Sequence, residues 1–205
     1  MAIVVNAMAY VSLGILGFMV GYSTELAAIN KLGALKPAVW VASFGLLGYA
    51  MVMVCLNTSR FILPGWLGFV GWGLLPLFSI LMLYTLVLEL PFRRTFVGNA
   101  SSTDLVTTGT YALIRHPTVL WYLLILASML LATRSYVLLV AMPIWIAMDV
   151  GWVLLQEKSS LARNFPDYGT YKRCTPFLIP NRRSLTEFLR SFRRGGRIVA
   201  DVSRR

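Results

Sequence analysis

The fold class this sequence predicts is all-α: a polytopic membrane protein with about five transmembrane helices. Three observations carry that prediction. Of 205 residues, 58% are hydrophobic and only 13% charged, about half the charged fraction of an ordinary soluble domain. The apolar residues come in blocks close to the roughly 20 that a helix needs to cross a bilayer. The basic residues are segregated, with eight arginines after Pro180. On this reading membrane consumes most of the chain, which excludes a separate Rossmann-type cofactor domain.

The blocks follow in order. Ala2 to Tyr22 is apolar, with no basic leader and no small-residue cleavage site, so it reads as a retained span rather than a removed signal peptide. Pro37 to Leu56 is the second span, closed by Asn57-Thr58-Ser59-Arg60. The third, Phe61 to Leu88, contains Pro64, Gly65, Gly68, Gly71, Gly73 and Pro76. It is long enough for one tilted span with a kinked or re-entrant start, and its small residues let neighbouring helices approach closely. After Glu89 comes the longest polar interruption, ending in TGTYALIRH. Pro117 to Thr133 and Ser135 to Leu155 then form two spans separated only by Arg134, which makes them an antiparallel hairpin. Pro117 suits the first turn of its helix, where a missing N–H costs little. The fifth helix continues into QEKSSLARNF, where Leu154, Leu161 and Phe165 recur at helical spacing.

The tail is an amphipathic interfacial helix. Ser184 with Glu187 forms a capping box, and Leu185, Phe188, Leu189 and Phe192 share one face before Gly195-Gly196 stops the helix. Its arginines account for much of the net charge of +11. In a membrane protein such a tail is an orientation signal and a contact for anionic lipids, not a nucleic-acid site. With five spans and a cytoplasmic C-terminus, 17 basic residues fall inside and only Arg60 and Arg134 outside. The two cysteines, Cys55 and Cys174, lie far apart in this topology, and no Cys/His cluster suggests a metal.

Ionisable residues at a membrane edge are costly and therefore functional candidates. Here they are Glu89, Arg115, His116 (the sole histidine), Asp149 and Glu157. Each has a plain structural reading: Arg115 reaching lipid phosphate, His116 capping a helix or facing headgroups, Glu157 solvated. Because the hairpin is antiparallel, however, Arg115, His116 and Glu157 fall at one end of it, on the cytoplasmic side.

The ordered set Gly109-x-Tyr111-x-x-x-Arg115-His116-Pro117, a hairpin, Glu157 with Leu161, then Phe165, Tyr168, Tyr171 and Pro176-Phe177-x-x-Pro180 resembles the isoprenylcysteine carboxyl methyltransferase and phospholipid methyltransferase superfamily. The resemblance covers roughly residues 93 to 180. It implies an integral membrane methyltransferase using S-adenosylmethionine, with its cofactor pocket on the cytosolic face. The methyl acceptor, lipophilic or a small amphipathic molecule, would reach that pocket from the bilayer. Carried over by position, Leu105, Val106 and Tyr111 would line the cofactor. His116 and Pro117 would embrace its amino-acid end, and Glu157 would contact its polar or cationic part. Arg115 would either hold the cofactor carboxylate or order the loop. Residues 1–90 would then be a three-span membrane region, 91–180 the cofactor-binding core and 181–205 the basic tail. The chain departs from the family's common pattern at Val119, Val153, Lys158 and Pro166.

Two other readings compete. A membrane reductase of the sterol and steroid type can also carry an Arg-His-Pro segment and would use NADPH. A non-enzymatic scaffold or transport subunit would use Asp149 as a buried polar contact. Cofactor binding separates the three.

Overall fold

A computed structural model describes residues 2–29, 36–90 and 105–193 of the chain. It is all-helical: among the described residues the only β-type pairing is an isolated bridge between Arg60 and Ser135. The helices are α1 (Ala2–Ile29), α2 (Lys36–Leu56), α3 (Gly65–Leu83), α4 (Thr110–Leu113), α5 (Pro117–Thr133), α6 (Tyr136–Gln156), α7 (Ala162–Asn164), α8 (Tyr168–Cys174) and α9 (Arg182–Arg193). Among the described residues four stretches are long and apolar enough to span a bilayer: Ala7–Thr24, Pro37–Leu56, Gly65–Glu89 and Tyr136–Asn164. The expected fourth span, α5, is apolar throughout but has only 17 residues, about 25 Å of helix against a hydrocarbon core of about 30 Å. The predicted count of five thus becomes four full-length spans and one short apolar helix.

The packing of α1 explains how such an apolar bundle holds a fixed geometry. Gly14, Gly17 and Gly21 form a groove along it. A Cβ added at Gly14 would overlap the indole of Trp145, and one at Gly21 the indole of Trp152, both from α6. Trp145 is fully buried and donates from Nε1 to the carbonyl of Val11 at 3.3 Å. Leu47 of α2 approaches Gly17 in the same way. Without a hydrophobic driving force between helices in lipid, this close fit of large into small is what selects one arrangement. On α3, Gly68 and Gly71 face α5 and its turn closely, whereas a Cβ added at Gly65 or Gly73 would meet nothing within 4 Å.

The hairpin turn between α5 and α6 needs a left-handed residue, and Arg134 supplies it with φ 56°. Ser135 caps α6 by accepting the N–H of Leu138 at 3.2 Å and donates to Val54 O at 2.7 Å. Arg60 donates to Thr133 O at 2.6 Å. The turn is therefore tied to the α2–α3 connection at one end of the bundle. Arg115, His116 and Glu157 lie at the other.

At the C-terminal helix the expected cap shifts. The reciprocal box is formed by Asn181 and Ser184, not by Ser184 and Glu187. Ser184 N–H donates to Asn181 Oδ1 at 2.8 Å, and Asn181 N–H donates to Ser184 Oγ at 3.0 Å. The helix accordingly starts at Arg182, and Glu187 pairs with Arg190 at 3.0 Å instead. The side chain of Phe192 and the Gly195-Gly196 stop lie outside the described residues, as do Arg93 and Arg94.

Candidate active site at the membrane edge

Two helices change their winding as they reach this end of the bundle. α3 runs into a π-helical turn over Tyr84–Glu89, and α6 into another over Glu157–Leu161. Such turns are rare and concentrate at functional sites. Here each carries one of the membrane-edge glutamates, and the wider winding re-aims the side chains that follow.

Glu89 builds the entrance. Its carboxylate accepts the backbone N–H of Thr110 at 2.9 Å and the hydroxyl of the same residue. It thereby caps α4, since a carboxylate at a helix start satisfies otherwise orphaned N–H groups. The preceding residue has to be glycine. Gly109 has φ +61°, and a Cβ there would overlap the Glu89 carboxylate. Its own N–H donates to Ser191 Oγ of α9 at 3.3 Å. The third span, the Gly109–His116 hook and the C-terminal helix therefore meet at one glycine. Glu89 was among the sequence candidates without a role; its role is to hold the hook.

The hook is closed from the other side by the Pro176-Phe177 segment. Arg115 N–H donates to Pro176 O at 2.9 Å and His116 N–H to Phe177 O at 3.4 Å. The Phe177 ring lies 5.6 Å from the Arg115 guanidinium and 5.0 Å from the His116 ring, within the range of a cation–π contact. Tyr171 donates its hydroxyl to Tyr111 O at 2.7 Å.

At the centre sits Glu157, whose side chain is only 3% exposed. Its Oε1 receives Arg115 Nη1 at 2.8 Å and His116 Nε2 at 2.8 Å. Its Oε2 receives Lys172 Nζ at 2.7 Å. Burial holds the imidazole of His116 below its ordinary 6.5, against the opposing pull of Glu157. Near neutral pH it is therefore uncharged and donates through Nε2–H. One carboxylate then faces two basic side chains, leaving the cluster with positive charge in excess. One buried donor of the cluster remains without a partner, Arg115 Nε, while the Tyr168 hydroxyl lies against Glu157 and Arg115. Burying an unsatisfied donor costs about 1–3 kcal/mol.

Of the residues singled out in the sequence, Arg115, His116 and Glu157 are in direct contact. Tyr111 joins through its carbonyl, and Pro117 is buried as the first residue of α5. Leu105 and Val106 lie half-buried in the extended lead to Gly109. Asp149 is eight residues before Glu157, about 12 Å up the helix at 1.5 Å per residue, and is not one of the groups that bond to Glu157. Sequence reasoning missed Lys172. The available signal was that Tyr168, Tyr171 and Lys172 follow one another at i, i+3 and i+4 on α8, which turns two buried tyrosines and one lysine to the same side.

Comparison with known proteins bears on what this arrangement does. The sequence model of the phospholipid methyltransferase family matches residues 66–168, about half the chain. The matched region runs from α3 through Tyr168 and so contains the hook, the hairpin and Glu157. A nickel-cobalt-cadmium resistance protein, NccN, from Alcaligenes xylosoxydans xylosoxydans is 32% identical over 85 residues. That alignment covers 42% of this chain and 40% of the relative, so the chain spans well under half of that protein's length. No solved structure matches the chain.

Proposed function

The chain belongs to the phospholipid methyltransferase family, and from that premise we propose that it transfers a methyl group from S-adenosylmethionine to a lipophilic or small amphipathic acceptor at the cytosolic membrane face. The observation that carries this reading is the Glu157 cluster: a buried carboxylate at the membrane edge, overmatched by basic groups, with the buried Arg115 Nε unpaired.

The residues present fit the cofactor. Arg115 Nε–H is a buried donor without an acceptor, which the cofactor's carboxylate would provide. This assigns Arg115 a binding role as well as its part in ordering the hook. Glu157 Oε2 is held by Lys172, whose side chain is 53% exposed. A cationic group of the ligand can take that position once Lys172 turns toward water. His116 and Pro117 fix the start of α5 against the amino-acid end, while Leu105, Val106 and Tyr111 flank the rest along the hook. When bound, S-adenosylmethionine supplies an electrophilic methyl group. The chain's contribution is to orient it in line with an incoming nucleophile and to keep water out. No side chain is needed as a general base if the acceptor is already ionised.

The excess of basic residues on this side of the spans supports a cytosolic site. The family match favours neither an NADPH-dependent reductase nor a scaffold. The test is to incubate the protein in nanodiscs with methyl-labelled S-adenosylmethionine and a membrane lipid extract. Label should enter the lipid phase with wild type and not with Glu157→Ala. Equal labelling with the two proteins would contradict the proposed site.

A further inference from the structure

The C-terminal helix is more than a charged tail, because it is docked on the site. α9 packs against α4, with Ser184 and Ser191 buried and Phe188 half-buried on the docked side. α4 ends three residues before His116, which leads into α5, so α9 packs at the end of the bundle where α5 begins. Its free side carries Leu185 and Leu189, 49% and 56% exposed. Arg182, Arg183 and Arg190 are also exposed, and Glu187 is offset by its pair with Arg190. Two leucines on one side with arginines flanking them are the pattern of a helix that sinks its apolar side into the acyl boundary and keeps its charges at anionic headgroups. The same helix ends on the hook: Ser191 accepts from Gly109 N–H, and Gly109 is where Glu89 fastens α4 to the third span.

We propose that the outer face of α9 binds the anionic surface of the bilayer and that this binding steadies the Gly109–His116 hook, so that cofactor affinity rises with the negative charge of the membrane. The partner is a lipid surface, chosen over a protein because α9 packs against the short helix that leads into α5 and its two exposed leucines are flanked by basic charge. Docked α9 restricts the hook to the conformation in which Arg115 and His116 reach Glu157. A bilayer that holds α9 in place removes the free-energy cost of ordering both, and the cofactor then binds more tightly without any new contact to it.

The coupling rests on the methyltransferase reading; the surface contact does not, and the experiment separates them. Full-length protein is placed in nanodiscs of phosphatidylcholine alone or mixed with phosphatidylglycerol. Hydrogen exchange over residues 182–193 is measured first, with no cofactor. Slower exchange in the anionic nanodiscs, abolished in Arg182→Gln/Arg183→Gln/Arg190→Gln and reduced in Leu185→Gln/Leu189→Gln, is the expected result. Equal exchange in both lipids overturns the proposal. So does protection that follows protein concentration rather than lipid charge, which would assign the face to a second copy of the chain. S-adenosylhomocysteine is then titrated into the same samples. Its affinity should be about fivefold or more higher in the anionic nanodiscs, at the lower end of typical coupling between sites, and the triple variant should lose the difference. Binding that is tight but equal in both lipids overturns the coupling while the methyltransferase reading stands. Absence of binding in every sample defeats the methyltransferase reading, and exchange alone then decides the surface contact.

Discussion

At the scale of single residues, Glu157 organises the site, and its removal should be felt twice. Glu157→Ala leaves Arg115 and His116 buried without their acceptor. Breaking a buried pair from one side costs about 3–5 kcal/mol, so we expect a clear drop in thermal stability together with lost S-adenosylhomocysteine binding. Unchanged affinity in folded variant would remove Glu157 from the site. Lys172→Gln behaves differently, because the lysine is half exposed and only one of the groups on Glu157. Its stability should hardly change, while affinity for the cofactor should shift by several-fold; identical titration curves would show that Lys172 plays no part. Gly109→Ala should cost about 1–3 kcal/mol from backbone strain alone, and more from the clash with Glu89. Thermal unfolding checks this, and a variant as stable as wild type would show that the hook does not hold Gly109 at positive φ.

His116 gives the pH dependence. Its folded value is depressed below 6.5 mainly by burial. Folding therefore favours the neutral ring, and the stability that this contributes is complete above 6.5 and lost as pH falls through the lower folded value. As the chain's sole histidine, its imidazole resonances can be followed by NMR without assignment. A midpoint below 6.5 is expected; a higher one would mean that the Glu157 partner outweighs burial.

At the scale of elements, the helices were legible because bilayer thickness imposes a length that hydropathy reports directly. The hairpin was legible because one residue, Arg134, cannot join two spans any other way. Arg115, His116 and Glu157 could be brought together by topology alone, since antiparallel helices place their start and end at one level. What could not be read depended on geometry that breaks periodicity. The π-helical turns at Glu89 and Glu157 look like ordinary helix in a 3.6-residue pattern. α4 has four residues, too few for any pattern. Lys172 reaches Glu157 from across a turn, fifteen positions on. At α9 the sequence pointed to Ser184 with Glu187, whereas the backbone selected Asn181 with Ser184. The glycine groove on α1 is likewise clear only once Trp145 and Trp152 are seen to fill it. Gly21→Leu should force the Trp152 ring from its seat, at a cost of about 1–3 kcal/mol or more for overpacking. Gly45→Leu, at a position where an added Cβ meets nothing within 4 Å, serves as the control. If both variants unfold at the same temperature in detergent, the groove does not fix the bundle.

At the scale of the whole molecule, the architecture answers a problem of phases. On the proposed function, a polar, charged cofactor would arrive from water and a lipophilic acceptor from the bilayer. A site in the middle of the membrane would exclude the first, and a site on a soluble domain the second. On that reading, placing Arg115, His116 and Glu157 where the helices end would let both reach one point. The glycine groove keeps α1 and α6 in register, α6 presents Glu157, and α3 anchors the hook through Glu89. The basic helix packs on that hook.

The most direct test of the central claim is calorimetric titration of purified, folded protein with S-adenosylhomocysteine, with NADPH as the parallel ligand. Saturable binding of S-adenosylhomocysteine alone, weakened in His116→Ala, is the expected outcome. Saturable binding of NADPH alone would contradict it and turn the same buried cluster into the grip of a reductase.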